Sequence, residues 1–346
     1  MLTLGIESTC DETACAIMRG GRTILSNVVA SQIDLHKEYG GVVPELACRR
    51  HVDLMMAVID QALCEAKVTL SEIDLIAVAH GPGLIGALLI GLNTAKTLAL
   101  ALDKPLIGVN HVEAHLYAAL MSHEREVSFP CLGVVISGGH SAIVLMKGFR
   151  HYELVGQTVD DAIGEAFDKV AKLLGLPYPG GPQIERLALT GNPHRYSFKG
   201  GQVKGKPLYF SFSGLKTAVL YAIKSHLSDE NEGVRALSFQ DKCDIAASFQ
   251  RAALDDIIKK TLAAADDFQT ETILFGGGVT NNQMLRKCFV EANTQQRALL
   301  WPSIGLSLDN AAMIAGLGFC RYQERGKGDS LDLEPLTRIP FSIDRS

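Results

Sequence analysis

His111 and His115 stand four residues apart in Asn110-His111-Val112-Glu113-Ala114-His115. On a helix that spacing is about 40° past one full turn, so both imidazoles can share one metal ion. Glu113 falls about 200° around from His111, where it cannot act as the base that a zincin carries inside H-E-x-x-H. Ordinary zinc-protease chemistry is therefore disfavoured. Two histidines at this spacing also serve simply to cap or fill a surface. An ion held by two histidines needs a further protein donor, most simply a carboxylate. Asp309, in Ser307-Leu308-Asp309-Asn310, is the candidate. At the start of a helix it would serve equally well as a plain N-cap.

Two turns of small residues, Ser137-Gly138-Gly139-His140-Ser141 and Gly276-Gly277-Gly278-Val279, each follow an apolar run. Without side chains, backbone N–H groups can meet a phosphate or acyl group, and Asn282 adds a hydrogen-bonding side chain. The G-x-G-x-x-G and Walker signatures are absent from the second turn, and a bulged hairpin or a tight strand-to-helix turn explains either run without a ligand. Gly164 to Asp168 and Gly180-Gly181-Pro182 supply further close-approach glycines. The Asp168 carboxylate either accepts from ribose or amino groups or lies on a helix surface. Asp11 and Glu12 occupy the turn of the first hairpin. Between Glu185 and Asp229 no acid occurs, while Arg186, Arg195, Lys199, Lys204, Lys206, Lys216 and Lys224 interleave with Tyr196, Phe198, Tyr209, Phe210 and Phe212. Such a stretch suits an RNA backbone with a stacked loop base, and equally a solvated loop.

The elements that must position these residues read as α/β. Leu2 to Glu7 and Ala14 to Met18 form a hairpin around the polar turn Ser8 to Thr13, and Leu132 to Ile136 with Ser141 to Met146 repeats the plan. The repeat suggests an internal duplication with a period of roughly 130 residues. Duplicated hairpins, each followed by strands and helices, suit two mixed sheets facing a cleft. Helices are expected over Pro44 to Ala66, Gly86 to Leu102, His111 to Leu120, Asp160 to Leu174, Gly180 to Thr190, Asp241 to Ala265, Asn281 to Ala292 and Asp309 to Tyr322. Strands are expected at Ile73 to Ala79, Leu106 to Val109 and Thr272 to Phe275, loops or short strands over Arg195 to Ser213, and a peripheral tail.

With 346 residues, 47% of them hydrophobic, the chain buries a large core and divides into two lobes. A net charge of -5 provides no general attraction for nucleic acid, so RNA binding requires a local patch. Acids at Glu7, Asp11 and Glu12 exclude a signal peptide, and the apolar run Leu84 to Leu102 is interrupted by Gly86, Gly91, Asn93, Thr94 and Lys96, as in a buried helix. A cytoplasmic protein without membrane contact is expected. The eight cysteines form no C-x-x-C pair and read as reduced thiols.

Several motifs occur together in chain order: Gly5-Ile6-Glu7-Ser8-Thr9-Cys10-Asp11-Glu12-Thr13, the histidine pair, Ser137-Gly138-Gly139-His140, Phe167-Asp168-Lys169-Val170-Ala171, Tyr178-Pro179-Gly180-Gly181-Pro182 and Phe210-Ser211-Phe212-Ser213-Gly214-Leu215-Lys216. In this combination the chain closely resembles the bacterial tRNA N6-adenosine threonylcarbamoyltransferase family from Met1 to about Ala315. The resemblance implies the two-lobed fold of actin, sugar kinases and the Hsp70 ATPase domain (ASKHA), with duplicated RNase H-like mixed sheets and the active site between lobes. It implies lobes at 1–130, with the histidine motif, and 131–346, with the donor-binding turns and the third metal ligand.

The implied reaction moves threonylcarbamoyl from threonylcarbamoyl-AMP to N6 of the adenosine immediately 3′ of the anticodon, in tRNAs reading codons that begin with A. One divalent ion, Fe2+ or Zn2+, would be held by His111, His115 and Asp309. Val135, Ile136, Ser137, Gly138, Gly139, Asp168, Gly181, Glu185 and Asn282 would contact the donor. Asp11 and His140 are the candidate catalytic groups for proton movement. Glu185 stands where family members often have Asp, and Thr280-Asn281 replaces the more usual Ser-Ala before Asn282. The implied partners are tRNA, a paralogous TsaB-like subunit and a small TsaE-like ATPase. Two other functions compete: a metalloendopeptidase acting on glycoproteins, and a nucleotide-binding, chaperone-like module.

Overall fold

The computed structural model describes residues 1–124, 127–225 and 237–339; Asp229, which closes the acid-free stretch, lies outside them. The chain forms two compact units, residues 1–129, 146–153 and 300–346 in one, and 130–145 and 154–299 in the other. This differs from the expected division after residue 130, because 300–346, with Asp309, belongs to the first unit.

The first unit is built on a sheet of β1 (Leu2–Glu7), β2 (Glu12–Arg19), β3 (Thr23–Ser31), β4 (Leu75–Gly81) and β5 (Leu106–Asn110), in the order β3-β2-β1-β4-β5. β1 pairs antiparallel with β2, from Leu2↔Arg19 to Glu7↔Ala14, and parallel with β4. Side chains alternate along a strand. A short α1 (Ile33–Lys37) follows β3. Leu4 and Ile6 enter an apolar cluster with Met55 and Ile59 of α2 (Pro44–Ala66) and Leu92 and Ala95 of α3 (Ile85–Leu102). Burying each of the leucine, isoleucine and methionine side chains stabilises the fold by about 1.5–3 kcal/mol. Gly5, between them, faces the opposite way. A Cβ there would lie 2.4 Å from the Ala311 carbonyl oxygen, so its absence lets α10 (Ala311–Arg325) sit directly on the strand. This packing of α10 is why the C-terminal segment returns to the first unit.

Proline at N1 starts α2, and Lys67 in the left-handed region ends it, matching the expected bounds. α3 is apolar and long enough to cross a membrane; it packs Ala87, Leu88, Gly91, Leu92, Ala95 and Ala99 inward and leaves Ile85, Leu89 and Leu100 exposed, so it is buried along one face only rather than throughout as expected. The tail is not peripheral: Leu333 packs on the core, Leu336 N–H donates to His80 O (2.8 Å), and Gly108 N–H donates to Asp329 (2.8 Å). Of its leucines only Leu333 packs down, against Gly108 of β5, while Leu331 and Leu336 stay exposed.

The second sheet contains β6 (Cys131–Ile136), β7 (Ser141–Met146), β8 (Tyr152–Gln157), β9 (Thr272–Gly276) and β10 (Ala298–Leu300), in the order β10-β9-β6-β7-β8. Reversed, this is the order of the first sheet, with β6 in the place of β1 and β9 in the place of β4. The duplication expected from the two hairpins is thus present in the topology. The second unit adds α5 (Ile163–Leu173), α6 (Gly180–Ala188), α7 (Ser213–Lys224), α8 (Phe239–Asp267) and α9 (Gln283–Ala292).

Candidate metal centre and donor-binding turns

In the first unit β5 runs directly into α4 (His111–Met121), whose N-cap is Asn110; its side-chain oxygen accepts from the backbone N–H of Val112 at 2.9 Å. The abrupt start places His111 on the first turn and His115 on the second. Every residue of α4 from His111 to Leu120 is buried. The two imidazole rings meet edge to face, centroids 4.7 Å apart.

Asp309 lies immediately before α10 but does not cap it. Asn310 does, accepting from Met313 N–H at 3.1 Å, and the Asp309 carboxylate faces the histidines. Its Oδ1 is 3.5 Å from His111 Nε2 and 3.1 Å from His115 Nε2. The donor atoms of all three residues lie within 4.8 Å of one another. His115 Nε2 is buried and makes no hydrogen bond despite its closeness to Asp309. Buried polar atoms ordinarily have a partner, and a shared cation would supply this one. Donors bound to a tetrahedral ion at about 2.0–2.1 Å are roughly 3.3 Å apart, which the two His–Asp separations bracket. The residues therefore fit a divalent ion.

Glu7, at the end of β1 on the same face as Gly5, is not among the residues that spacing or resemblance assigns to the site. Its Oε2 lies 2.8 Å from His111 Nδ1, and its Oε1 accepts from Thr9 N–H at 2.6 Å. A carboxylate on the far nitrogen turns Nε2 toward a metal and fixes the ring. Strict alternation carried to the end of β1 is the signal that could find it. Burial opposes protonation of His111, but Glu7 and Asp309 outweigh it and push the imidazole up to about 9. Glu12 is pushed up to about 10 by burial, then by Asp11 and Asp309. Asp11 is itself buried. Cys10 is raised far above the ordinary thiol range by burial and then by the same acids, so it stays protonated. Glu113 points elsewhere: it forms a buried ion pair with Arg321 of α10 and accepts from Asn110 Nδ2 at 3.2 Å.

In the second unit the turn after β6 meets α5 and the second glycine turn. Ser137 N–H donates to His140 O (2.8 Å) and His140 N–H to Ser137 Oγ (3.1 Å), closing the turn. Gly138 and Gly139 are exposed, with open space where a Cβ would be. Gly164 N–H, on α5, donates to Ser137 O (3.2 Å). Gly277 has φ +92°, and a Cβ there would lie 2.4 Å from Ile136 O, so the second glycine turn packs against the first. Val135 and Ile136 are fully buried and support the turn from beneath rather than present side chains.

Asp168 accepts from Gly180 N–H at 2.7 Å and so holds the first turn of α6, next to the open position at Gly181. Burial raises its carboxyl, with the Gly180 and Gly181 amides pulling the other way. Glu185 Oε1 accepts from Gln283 N–H at 2.7 Å. Asn282 caps α9 through Leu285 N–H (2.9 Å) and donates to Gln250 (2.9 Å). These three polar side chains thus position the glycine turns, a role that spacing does not reveal because most of their partners lie well away in sequence.

The family profile described as "TsaD: tRNA N6-adenosine threonylcarbamoyltransferase" matches residues 23–316. A tRNA N6-adenosine threonylcarbamoyltransferase of Protochlamydia amoebophila is 70% identical over 341 residues, covering 99% of this chain and 98% of that protein. Its counterpart in Chlamydia caviae is 54% identical over 92% of this chain and 91% of that protein. The chain belongs to the tRNA N6-adenosine threonylcarbamoyltransferase family. Among solved structures, HypF of T. kodakarensis has a TM-score of 0.62 at 16% identity, covering 96% of this chain and 49% of that one, about half its length. ROK hexokinase from Thermus thermophilus gives 0.52 at 15% identity, covering 94% and 99%. These likenesses carry the fold alone. The threonylcarbamoyltransferase chain has the ASKHA fold expected from its motifs.

Proposed function

We propose that the chain transfers threonylcarbamoyl from threonylcarbamoyl-AMP to N6 of the adenosine immediately 3′ of the anticodon, and that His111, His115 and Asp309 hold one Fe2+ or Zn2+ per chain. The observation that carries the metal assignment is the buried His115 Nε2, which lacks a hydrogen bond yet lies 3.1 Å from Asp309. When bound, the ion would supply Lewis-acid polarisation of an oxygen on the donor. Glu7 orients His111. The backbone amides of Gly138 and Gly139 and the open position at Gly181 suit the adenylate, with Asp168, Glu185 and Asn282 holding the neighbouring turns in place.

The exocyclic amine is a poor nucleophile, so the donor must carry an activated carbonyl. N6 attacks the carbamoyl carbon, the C–O bond to the phosphate breaks, AMP leaves, and the amine gives up a proton. Amide donors fixed before the reaction stabilise the charge growing on the leaving phosphate. Asp11 and His140 are the groups proposed for the proton. The proposal extends to a cytoplasmic complex with a paralogous TsaB-like subunit and a small TsaE-like ATPase, tested by co-purification.

The peptidase reading loses the base within its own motif, since Glu113 is committed to Arg321. The decisive experiment is reconstitution with threonine, bicarbonate, ATP, the adenylate-forming enzyme, the partners and tRNA, with and without added metal, followed by mass analysis of tRNA nucleosides. Threonylcarbamoyladenosine that appears only with metal is the expected result. Its absence under every condition would leave the chaperone-like module standing.

A further inference from the structure

The second unit has another concave surface that shares no lining residue with the glycine turns. A groove of about 1130 Å³ lies between the loop 193–208 and one face of α8. Six basic side chains, Lys199, Lys204, Lys206, Arg251, Lys259 and Lys260, line it against Asp255 and Asp256. Both acids are already engaged: Asp255 with Arg251 (3.6 Å) and Asp256 with Lys260 (2.8 Å). Lys199, Lys204, Lys206 and Lys259 are exposed and form no ion pair among the described residues. On a chain of net charge -5, this is a local reversal of sign.

The groove also has a flat apolar wall. Tyr196 and Phe198 stack with centroids 5.6 Å apart and planes 7° from parallel, both rings half-buried. Lys206 Nζ lies 4.6 Å above the Tyr209 ring. By contrast Phe210 and Phe212, which the sequence groups with them, are buried in the core and offer no face to a ligand.

We propose that this groove is a docking surface for the RNA substrate, its lysines meeting successive phosphates and the Tyr196–Phe198 wall taking one unstacked base. The inference rests on the reading of the substrate as tRNA. A mononucleotide would need only one or two cations. Several uncommitted cations beside an aromatic plane match the alternation of phosphate and base in an RNA loop.

The test is titration of the full-length, metal-loaded chain with a tRNA transcript, followed by fluorescence anisotropy over a series of salt concentrations. Lys204→Gln with Lys206→Gln weakens binding and lowers the slope of log affinity against log salt by about 2, roughly one for each phosphate no longer neutralised. Phe198→Ala weakens binding on the order of tenfold and leaves that slope unchanged, because stacking releases no counterions. Lys259→Gln, on a regular helix and so independent of loop folding, lowers the slope by about 1. Metal content and melting temperature stay at wild-type values throughout. Wild-type affinity and slope in the lysine variants overturn the proposal, as does polyglutamate occupying the groove while RNA does not. Lowered slopes in a chain without transferase activity keep the groove and reject the functional reading; transfer with unchanged affinity in every variant rejects the groove alone.

Discussion

The turn after β1 and the turn after β6 occupy equivalent places in two sheets of the same order, yet they are built oppositely. The first is buried and filled with charge: Glu7, Thr9 and Asp11 are enclosed, and His51 holds it from α2 through Thr13 Oγ1 (2.8 Å) and Cys10 O (3.1 Å). The second is glycine, exposed at its tip, and offers mainly backbone. In the first copy, buried side chains at the turn brace the candidate metal site, Glu7 holding His111. The other has specialised in leaving main-chain amides uncovered. Charge inside a core must be fixed by neighbours, whereas an amide surface needs only the absence of side chains.

The contrast breaks most sharply at the histidines. His115→Ala is expected to lower metal affinity more than about 100-fold and to abolish transfer, while Glu7→Gln, which loosens the orientation of His111, costs about 10- to 100-fold in affinity. Metal analysis after dialysis against a weak chelator reads both; retention of metal by the His115 variant would refute the site. In the second unit the glycines separate into two kinds. Gly277→Ala forces a Cβ onto Ile136 O at positive φ and lowers stability by more than about 1 kcal/mol. Gly138→Ala, with open space around it, changes stability by less than about 0.5 kcal/mol but reduces transfer. Denaturant melts combined with activity distinguish a glycine kept for packing from one kept for ligand access.

The smallest effect is a pH dependence. In metal-free protein His111 is raised from 6.5 to about 9 and Glu12 from 4.5 to about 10. A raised folded value means that the stability each group lends is full below its unfolded value and disappears as pH rises through the folded one. The melting temperature of metal-free protein should therefore fall as pH rises from 6.5 to 9. Saturating Zn2+ should flatten or reverse the trend, because the ion competes with protons for the imidazole. A metal-free melting temperature that climbs across this range would contradict the arrangement around His111.

Much of this is legible in the residues. Pro44 and the apolar period of α2 define that helix, the two hairpins announce the duplicated sheets, and the histidine spacing points to an ion. What escapes depends on distant partners. β3 exposes most of one face and β8 is only partly buried, so neither carries a strong alternation. Asp309 reads as the opening of its helix because its neighbour Asn310 is as good a cap. Asp168 and Glu185 also hold backbone amides, the latter one about a hundred residues away, a positioning role that nothing local in the sequence shows. The tail reads as peripheral because its few apolar residues show no period, although Leu333 and Leu336 have places on the first unit.

The return of α10 to the first unit has a consequence for biosynthesis. The buried pairing of Glu113 with Arg321 joins a helix translated in the first third of the chain to one translated near its end. A ribosome will have delivered all of residues 130–299 before the earlier unit can be completed. The candidate metal site, split between His111, His115 and Asp309, thus comes into being late, and a polypeptide released early would carry the histidines without Asp309.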